Sequence, residues 1–227
     1  LAGLAVSGAA QAALHDRGGG LIYDDVLNLT WLQDANYAMT TGHDSDGLMT
    51  WAGAGSWADG LSYYDSVRNV TYTDWHLPTL LPVGAAFPVT VTSANDGSAD
   101  AGFNITRTTS PLSYMFYVNL GNSGAKNPDG TPSGCSVFGS PACLANTGPF
   151  INLAKTYYWY ASNDYAHPSS NWWVHMGAGQ QNLSGGQGMA WAVRDGDVAA
   201  VPEAETWAML LAGLGVVGMA VRRKARV

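Results

Sequence analysis

The chain has 227 residues, nine of them tryptophan, with only 12% charged residues and a formal net charge of −7. So few cations leave no Lys/Arg patch to release counterions from a phosphate backbone, which excludes nucleic acid as a partner. The abundance of Gly, Asn, Ser and Thr is that of an extracellular, loop-rich protein.

At the start, Leu1 to Ala13 are small and apolar, and Ala10-Gln11-Ala12 forms an A-x-A cleavage site. Residues 1–13 therefore read as the remnant of a secretory signal peptide. The body that follows, residues 14–200, has the length of a single domain able to bury a core. Gly20 to Val26 and Leu29 to Leu32 predict two short strands joined by a polar turn at Asn28. Next comes Asp44-Ser45-Asp46-Gly47. Two carboxylates at alternate positions before a glycine resemble an oxygen-ligand calcium loop, so Asp44 and Asp46 are candidate metal ligands and calcium the candidate cation. Asp46 is equally placed to serve the N-terminus of the next element. From Leu48 to Leu61 the apolar residues recur at helical spacing, which predicts an amphipathic helix with Trp51 and Trp57 facing the core.

Pro82 to Thr109 has no helical period and reads as irregular strands and loops. Ser113 to Leu120 fits either a buried strand or a short helix. Cys135 and Cys143 bracket the short loop Ser136 to Ala142. In an exported chain this spacing reads as a local disulfide, the other reading being two free thiols. Three strand-like segments close the body: Thr156 to Ala161, Asn171 to Met176 and Ala190 to Arg194. With polar and glycine-rich turns between them they predict an antiparallel meander, so the fold class is α+β, a strand-dominated single domain.

Asn163, Asp164, Tyr165, Asn171, Trp172 and Trp173 combine rings that stack on sugars with amides and carboxylates that bond hydroxyls, and are the candidate ligand site. Strand alternation expects one of Trp172 and Trp173 to point inward and the other outward.

The tail has its own design. Val201, Pro202 and Glu203 lead to Trp207, an apolar run follows to Val221, and Arg222, Arg223 and Lys224 close it. Pro202 cannot continue a helix from upstream, and the basic end stays cytoplasmic under the positive-inside rule. Residues 207–221 would form a hydrophobic helix only about 22 Å long, short for a bilayer core of about 30 Å. This tripartite tail, residues 201–227, resembles the PEP-CTERM sorting signal of Gram-negative bacteria. That resemblance implies an exosortase as partner, a transmembrane helix before processing, and delivery to the cell surface or extracellular matrix. The usual Pro-Glu-Pro reads Pro202-Glu203-Ala204 here.

The body carries a second resemblance. Asp24 to Asn36, Trp75-His76-Leu77-Pro78-Thr79, Met115 to Asn122 and Ala190 to Val198 are similar to motifs of the DUF1566 family, which includes the C-terminal domain of a Legionella collagen-like adhesin. The Trp-x-Leu-Pro-Thr motif and the closing Ala-Val-Arg strand are also similar to elements of C-type-lectin-like folds. The resemblance implies a surface or matrix domain with glycan binding among its adhesin relatives and no established enzymatic activity. His76 stands where that family commonly has Arg.

No H-x-H, H-E-x-x-H or G-x-S-x-G pattern is present, so no catalytic residue is assigned. His76 reads as a hydrogen-bonded structural histidine. The expectation is an exported, non-enzymatic, biofilm- or exopolysaccharide-associated protein that binds a polysaccharide. The alternative is a secreted polysaccharide-active hydrolase, which would need two facing carboxyl groups.

Overall fold

The computed structural model describes residues 14–83, 93–163 and 171–198, with only the backbone of Asn163. The expected signal remnant at residues 1–13, the hydrophobic helix 207–221 and the sorting residues Val201 to Arg223 lie outside these, as do Asp164 and Tyr165. Among the described residues no helix is long and apolar enough to cross a membrane.

The architecture is strand-rich. Strands β1 (Leu14–Asp16), β2 (Leu21–Asp24), β3 (Leu29–Leu32) and, from the far end of the chain, β11 (Val193–Asp195) form an antiparallel sheet in the order β1-β2-β3-β11. A second sheet has the order β6-β7-β10-β9-β8, built from β6 (Ser93–Ala94), β7 (Ala101–Gly102), β8 (Tyr157–Asn163), β9 (Asn171–His175) and β10 (Gln180–Ser184). A separate hairpin joins β4 (Tyr63–Asp65) to β5 (Val70–Tyr72). Helices are short: α1 (Tyr37–Thr40), α2 (Trp51–Asp59), and α3 (Pro111–Tyr114), which runs into a π-helical turn over Met115–Asn119. Ser113 to Asn119 is thus helical, with Pro111 at the first turn, where its missing N–H costs nothing.

Two elements differ from the sequence expectation. The third strand of the meander is Gln180–Ser184, whereas Val193–Asp195 crosses to the other sheet and pairs with β3. Helix α2 is capped by Thr50, whose hydroxyl accepts from Gly53 N at 3.2 Å, and not by Asp46.

Side-chain alternation divides the interior into two cores. Ile22, Trp31, Tyr158, Tyr160, Trp172 and Val174 enter one, together with Met115 and Phe116 of the α3 region. Leu21, Leu32, Trp159 and Trp173, their neighbours in sequence, enter the other with Trp57 of α2. Along β3, and over Trp172 to Val174 of β9, neither face meets solvent.

A turn repeats itself. Tyr23-Asp24-Asp25-Val26-Leu27-Asn28 and Tyr64-Asp65-Ser66-Val67-Arg68-Asn69 close two hairpins with one geometry. In each, the Asp Oδ1 accepts from two following backbone N–H groups, those of Val26 and Leu27 or of Val67 and Arg68. In each, the Tyr hydroxyl donates to the Asn Oδ1, and the Asn backbone is left-handed. The second carboxylate oxygens differ. Asp65 Oδ2 is paired with Arg68 at 2.6 Å, while among the described residues Oδ2 of the fully buried Asp24 has only the Asn119 amide.

Burial consequently raises the Asp24 carboxyl above its ordinary value, against the pull of the Leu27 N–H, Asn119 and the Val26 N–H. A raised folded-state pKa means that the native state holds the proton longer than the unfolded chain. Asp24 therefore favours folding most below the unfolded value of 3.8, and this advantage is lost as pH rises through the raised folded value. Asn119 Oδ1 is buried without a partner, so its amide can turn to accept from an asparagine at position 24. Asp24→Asn is expected to fold within about 1 kcal/mol of the parent at pH 3 and to be the more stable of the two at pH 7. Denaturant titrations at both pH values check this; a variant weaker than the parent at pH 7 would show that the charge itself stabilises.

Candidate functional site

A concavity is built around α1. Asp34 sets it up by bridging to Ile151, and its carboxylate gathers the segment that follows. Oδ1 accepts from Asn36 N at 2.9 Å, Oδ2 from the Thr40 hydroxyl at 2.6 Å, and both oxygens from Asn152 Nδ2 at 3.0 Å. Thus pinned, the short helix presents Tyr37 at its first position. The Tyr37 ring meets Tyr63 edge-on at 5.4 Å, and Tyr63 meets Trp75 at 5.7 Å. Tyr63 donates to Gly19 O at 2.7 Å, and Trp75 Nε1 donates to Tyr72 O at 3.1 Å. The three rings form a fixed ladder from the core to the surface.

Two hollows meet at Tyr37. The larger, about 340 Å³, lies between α1 and the C-terminal end of α2 and is lined by the rings of Tyr37, His43 and Trp57 and the hydroxyls of Thr41, Ser56 and Ser62. His43 is exposed and lies 6.4 Å from Trp57, which forms the floor and is only 7% exposed. The smaller, about 190 Å³, is lined by Gln33, Asp34, Tyr37 and Tyr63 with Leu32 and Ile151. Burial first, and then the charge of Asp34, raises the Tyr37 phenol; burial also leads in raising Tyr63. Both hydroxyls stay protonated across neutral pH. Rings, hydroxyls, one amide and one carboxylate make a surface suited to stacking and hydrogen bonding.

The sequence-predicted site fares differently. Trp172 and Trp173 are 0% and 6% exposed, which corrects the expectation that one of them faces solvent. Their side chains do alternate, but each side of the sheet is covered by its own core. Asn171 is half-buried at the start of β9, opposite Ser184 and Asn163. Tyr157, 39% exposed, lies edge-on to both Trp173 and His175 and closes that end of the sheet.

Asp44 and Asp46 fold the loop before α2. Asp44 Oδ1 accepts from the backbone N–H of Asp46 and Gly47, which hold its carboxyl below the ordinary range, and Asp46 Oδ1 accepts from Leu48 N at 2.9 Å. No group of three or more His, Cys, Asp or Glu converges on a metal-sized site among the described residues. Cys135 and Cys143 are joined in a disulfide, with Cys143 buried. His76 is structural: Nδ1–H donates to Leu77 O at 2.8 Å, Nε2 lies 3.5 Å from Asp195 Oδ1, and its backbone bridges to Val193. With Pro78 O accepting from Ala161 N, the Trp-His-Leu-Pro-Thr motif ties β11 to β8.

In the sequence Tyr37 stands one residue beyond the Asp24 to Asn36 motif, and helical spacing places Trp57 in the core. The signal that marks them is chemical: a tyrosine directly after Asp34-Ala35-Asn36, whose polar side chains are needed to shape a turn rather than to meet solvent.

Residues 200–224 match the PEP-CTERM protein-sorting motif. The chain thus carries a signal for export and for membrane-anchored sorting by an exosortase in Gram-negative bacteria. The match covers the tail alone and does not reach the DUF1566-like motifs of the body. No curated protein and no solved structure matches the chain.

Proposed function

We propose that the body is a non-enzymatic, lectin-like carbohydrate-binding domain that works at the cell surface or in the extracellular matrix, with the groove at Tyr37 as its binding face. The observation that carries this reading is the groove's lining: three rings, those of Tyr37, His43 and Trp57, flanked by three hydroxyls, with Tyr37 fixed by the Tyr37–Tyr63–Trp75 ladder and Trp57 by its burial. Sugars offer C–H faces to rings and hydroxyls to polar rims, so a shallow, preformed surface of this kind suits them. The sorting signal delivers the domain to where polysaccharide is met, and the resemblance of Asp24 to Asn36 and Trp75 to Thr79 to DUF1566 motifs points the same way.

Among the described residues the groove's only carboxylate is Asp34, already committed to Asn36, Thr40 and Asn152. Glycoside hydrolysis needs a second carboxyl across the scissile bond. Binding without turnover is the reading this arrangement favours.

The test is a glycan array probed with the full-length chain in detergent, followed by affinity measurements. His43→Ala, at an exposed position that leaves the core untouched, and Tyr37→Ala should each weaken binding, the latter by about tenfold or more. Affinity unchanged in both folded variants would move the site elsewhere, and release of reducing ends abolished by Asp34→Asn would assign a hydrolase instead.

A further inference from the structure

Resting on the carbohydrate reading of the groove, we infer that it selects an uncharged oligosaccharide of at least two sugar units lying across Tyr37, and rejects sulfated, phosphorylated or uronate-rich chains.

Charge carries the first half. An anionic polysaccharide is held by cations, typically arginine forks that pair with sulfate or carboxylate. Among the described residues no Lys or Arg lines either hollow. Between residues 14 and 198 there are four arginines, and each is paired with an aspartate: Arg17 with Asp197, Arg68 with Asp65, Arg107 with Asp100 and Arg194 with Asp74, at 2.6 to 2.7 Å. The remaining cations of that stretch, Lys126 and Lys155, are not part of the groove. Fifteen aspartates against six Lys and Arg give that stretch a net negative charge, and one of the fifteen, Asp34, lines the smaller hollow. A polyanion would be repelled on approach and unmatched on arrival. Sugar hydroxyls, by contrast, find donors and acceptors in Thr41, Ser56, Ser62 and Gln33.

Shape carries the second half. The hollow of about 190 Å³ has room for one pyranose ring, and the hollow of about 340 Å³ for at least one more. Tyr37 lines both, so a chain that fills them crosses its ring. A monosaccharide engages one side only, and units beyond the span reach solvent.

The experiment uses an array of neutral hexose oligomers, from single sugars to hexamers in α-1,4, β-1,4 and β-1,3 linkage, beside their sulfated and uronate counterparts, all probed with the full-length chain. We expect neutral chains to bind and their anionic counterparts to bind at least tenfold more weakly at low salt. Affinity should rise at least tenfold from the single sugar to the spanning length and then level off. Ser62→Arg, on the exposed rim, should narrow the gap between the two series. Stronger binding of the anionic series, still lost in His43→Ala, would overturn this inference and leave the groove a carbohydrate site. An affinity independent of chain length would overturn the spanning arrangement. Silence across both series would reject this inference together with the carbohydrate reading beneath it.

Discussion

Alanine at Trp172 or at Trp173 is expected to remove about 3–5 kcal/mol of folding stability in either case, the range for deleting a large buried ring. Trp172 is fully buried and shares its core with Trp31, Tyr158, Tyr160 and Trp191, while Trp173 fills the opposite core with Trp57, Trp75 and Trp159. Each substitution opens a cavity in a different core, and neither core can collapse while the sheet between them keeps its register. Both variants should unfold at lower denaturant, and any folded fraction should retain the affinity of the parent for carbohydrate. Urea titrations beside binding isotherms check this. A variant of either tryptophan that keeps its stability and loses binding would restore the aromatic platform that alternation alone suggested.

Gly102→Ala should be at least as damaging. Gly102 has φ of +118°, and a Cβ there would lie 1.7 Å from Ala94 O, a backbone atom of the neighbouring strand. Its partners on the two sides are Ala94 in β6 and Gln181 in β10, so the backbone has no direction in which to yield. A loss of about 4 kcal/mol or more follows from backbone strain joined to collision. Gly121→Ala is the control: its φ of +63° carries the left-handed penalty, about 1–2 kcal/mol, yet no atom lies within 4 Å of the new Cβ. Equal losses in the two variants, read from chemical denaturation, would show that the left-handed backbone and not the Ala94 contact sets the effect at position 102.

Much of the fold could be read locally. The β2–β3 hairpin announces itself because Asn28 tolerates the left-handed turn its strands require, and the apolar spacing of α2 exposes that helix. The β10 strand is hidden in the sequence for a physical reason. Gln180 to Ser184 looks like surface, but Gln181 is fully buried, accepting from the Ser113 and Tyr160 hydroxyls and donating to Asp100 O. A polar side chain whose every bond is met inside the protein is indistinguishable in sequence from one that bonds to water. The same limit applied to Asp44 and Asp46, where alternating carboxylates serve the chain's own N–H groups. It applied to Arg17 and Asp197 as well, whose pairing spans nearly the whole body.

The amino-acid sequence by itself determined where the protein is sent, because a sorting signal is read as a linear string of turn, apolar run and basic stop at residues 200–224. It likewise determined the strand-rich class and the hairpin turns, and it favoured the Cys135–Cys143 pairing that the structure contains, each set by neighbours within a few residues. Tertiary structure alone decided which tryptophans are buried. Period-two alternation assigns Trp172 and Trp173 to opposite faces, but only the packing of α2 on one side and the α3 region on the other makes both faces interior. It also decided the groove, since Tyr37, Trp57 and Tyr63 become neighbours through Asp34 and Asn152, residues far apart along the chain, and no local spacing encodes that meeting.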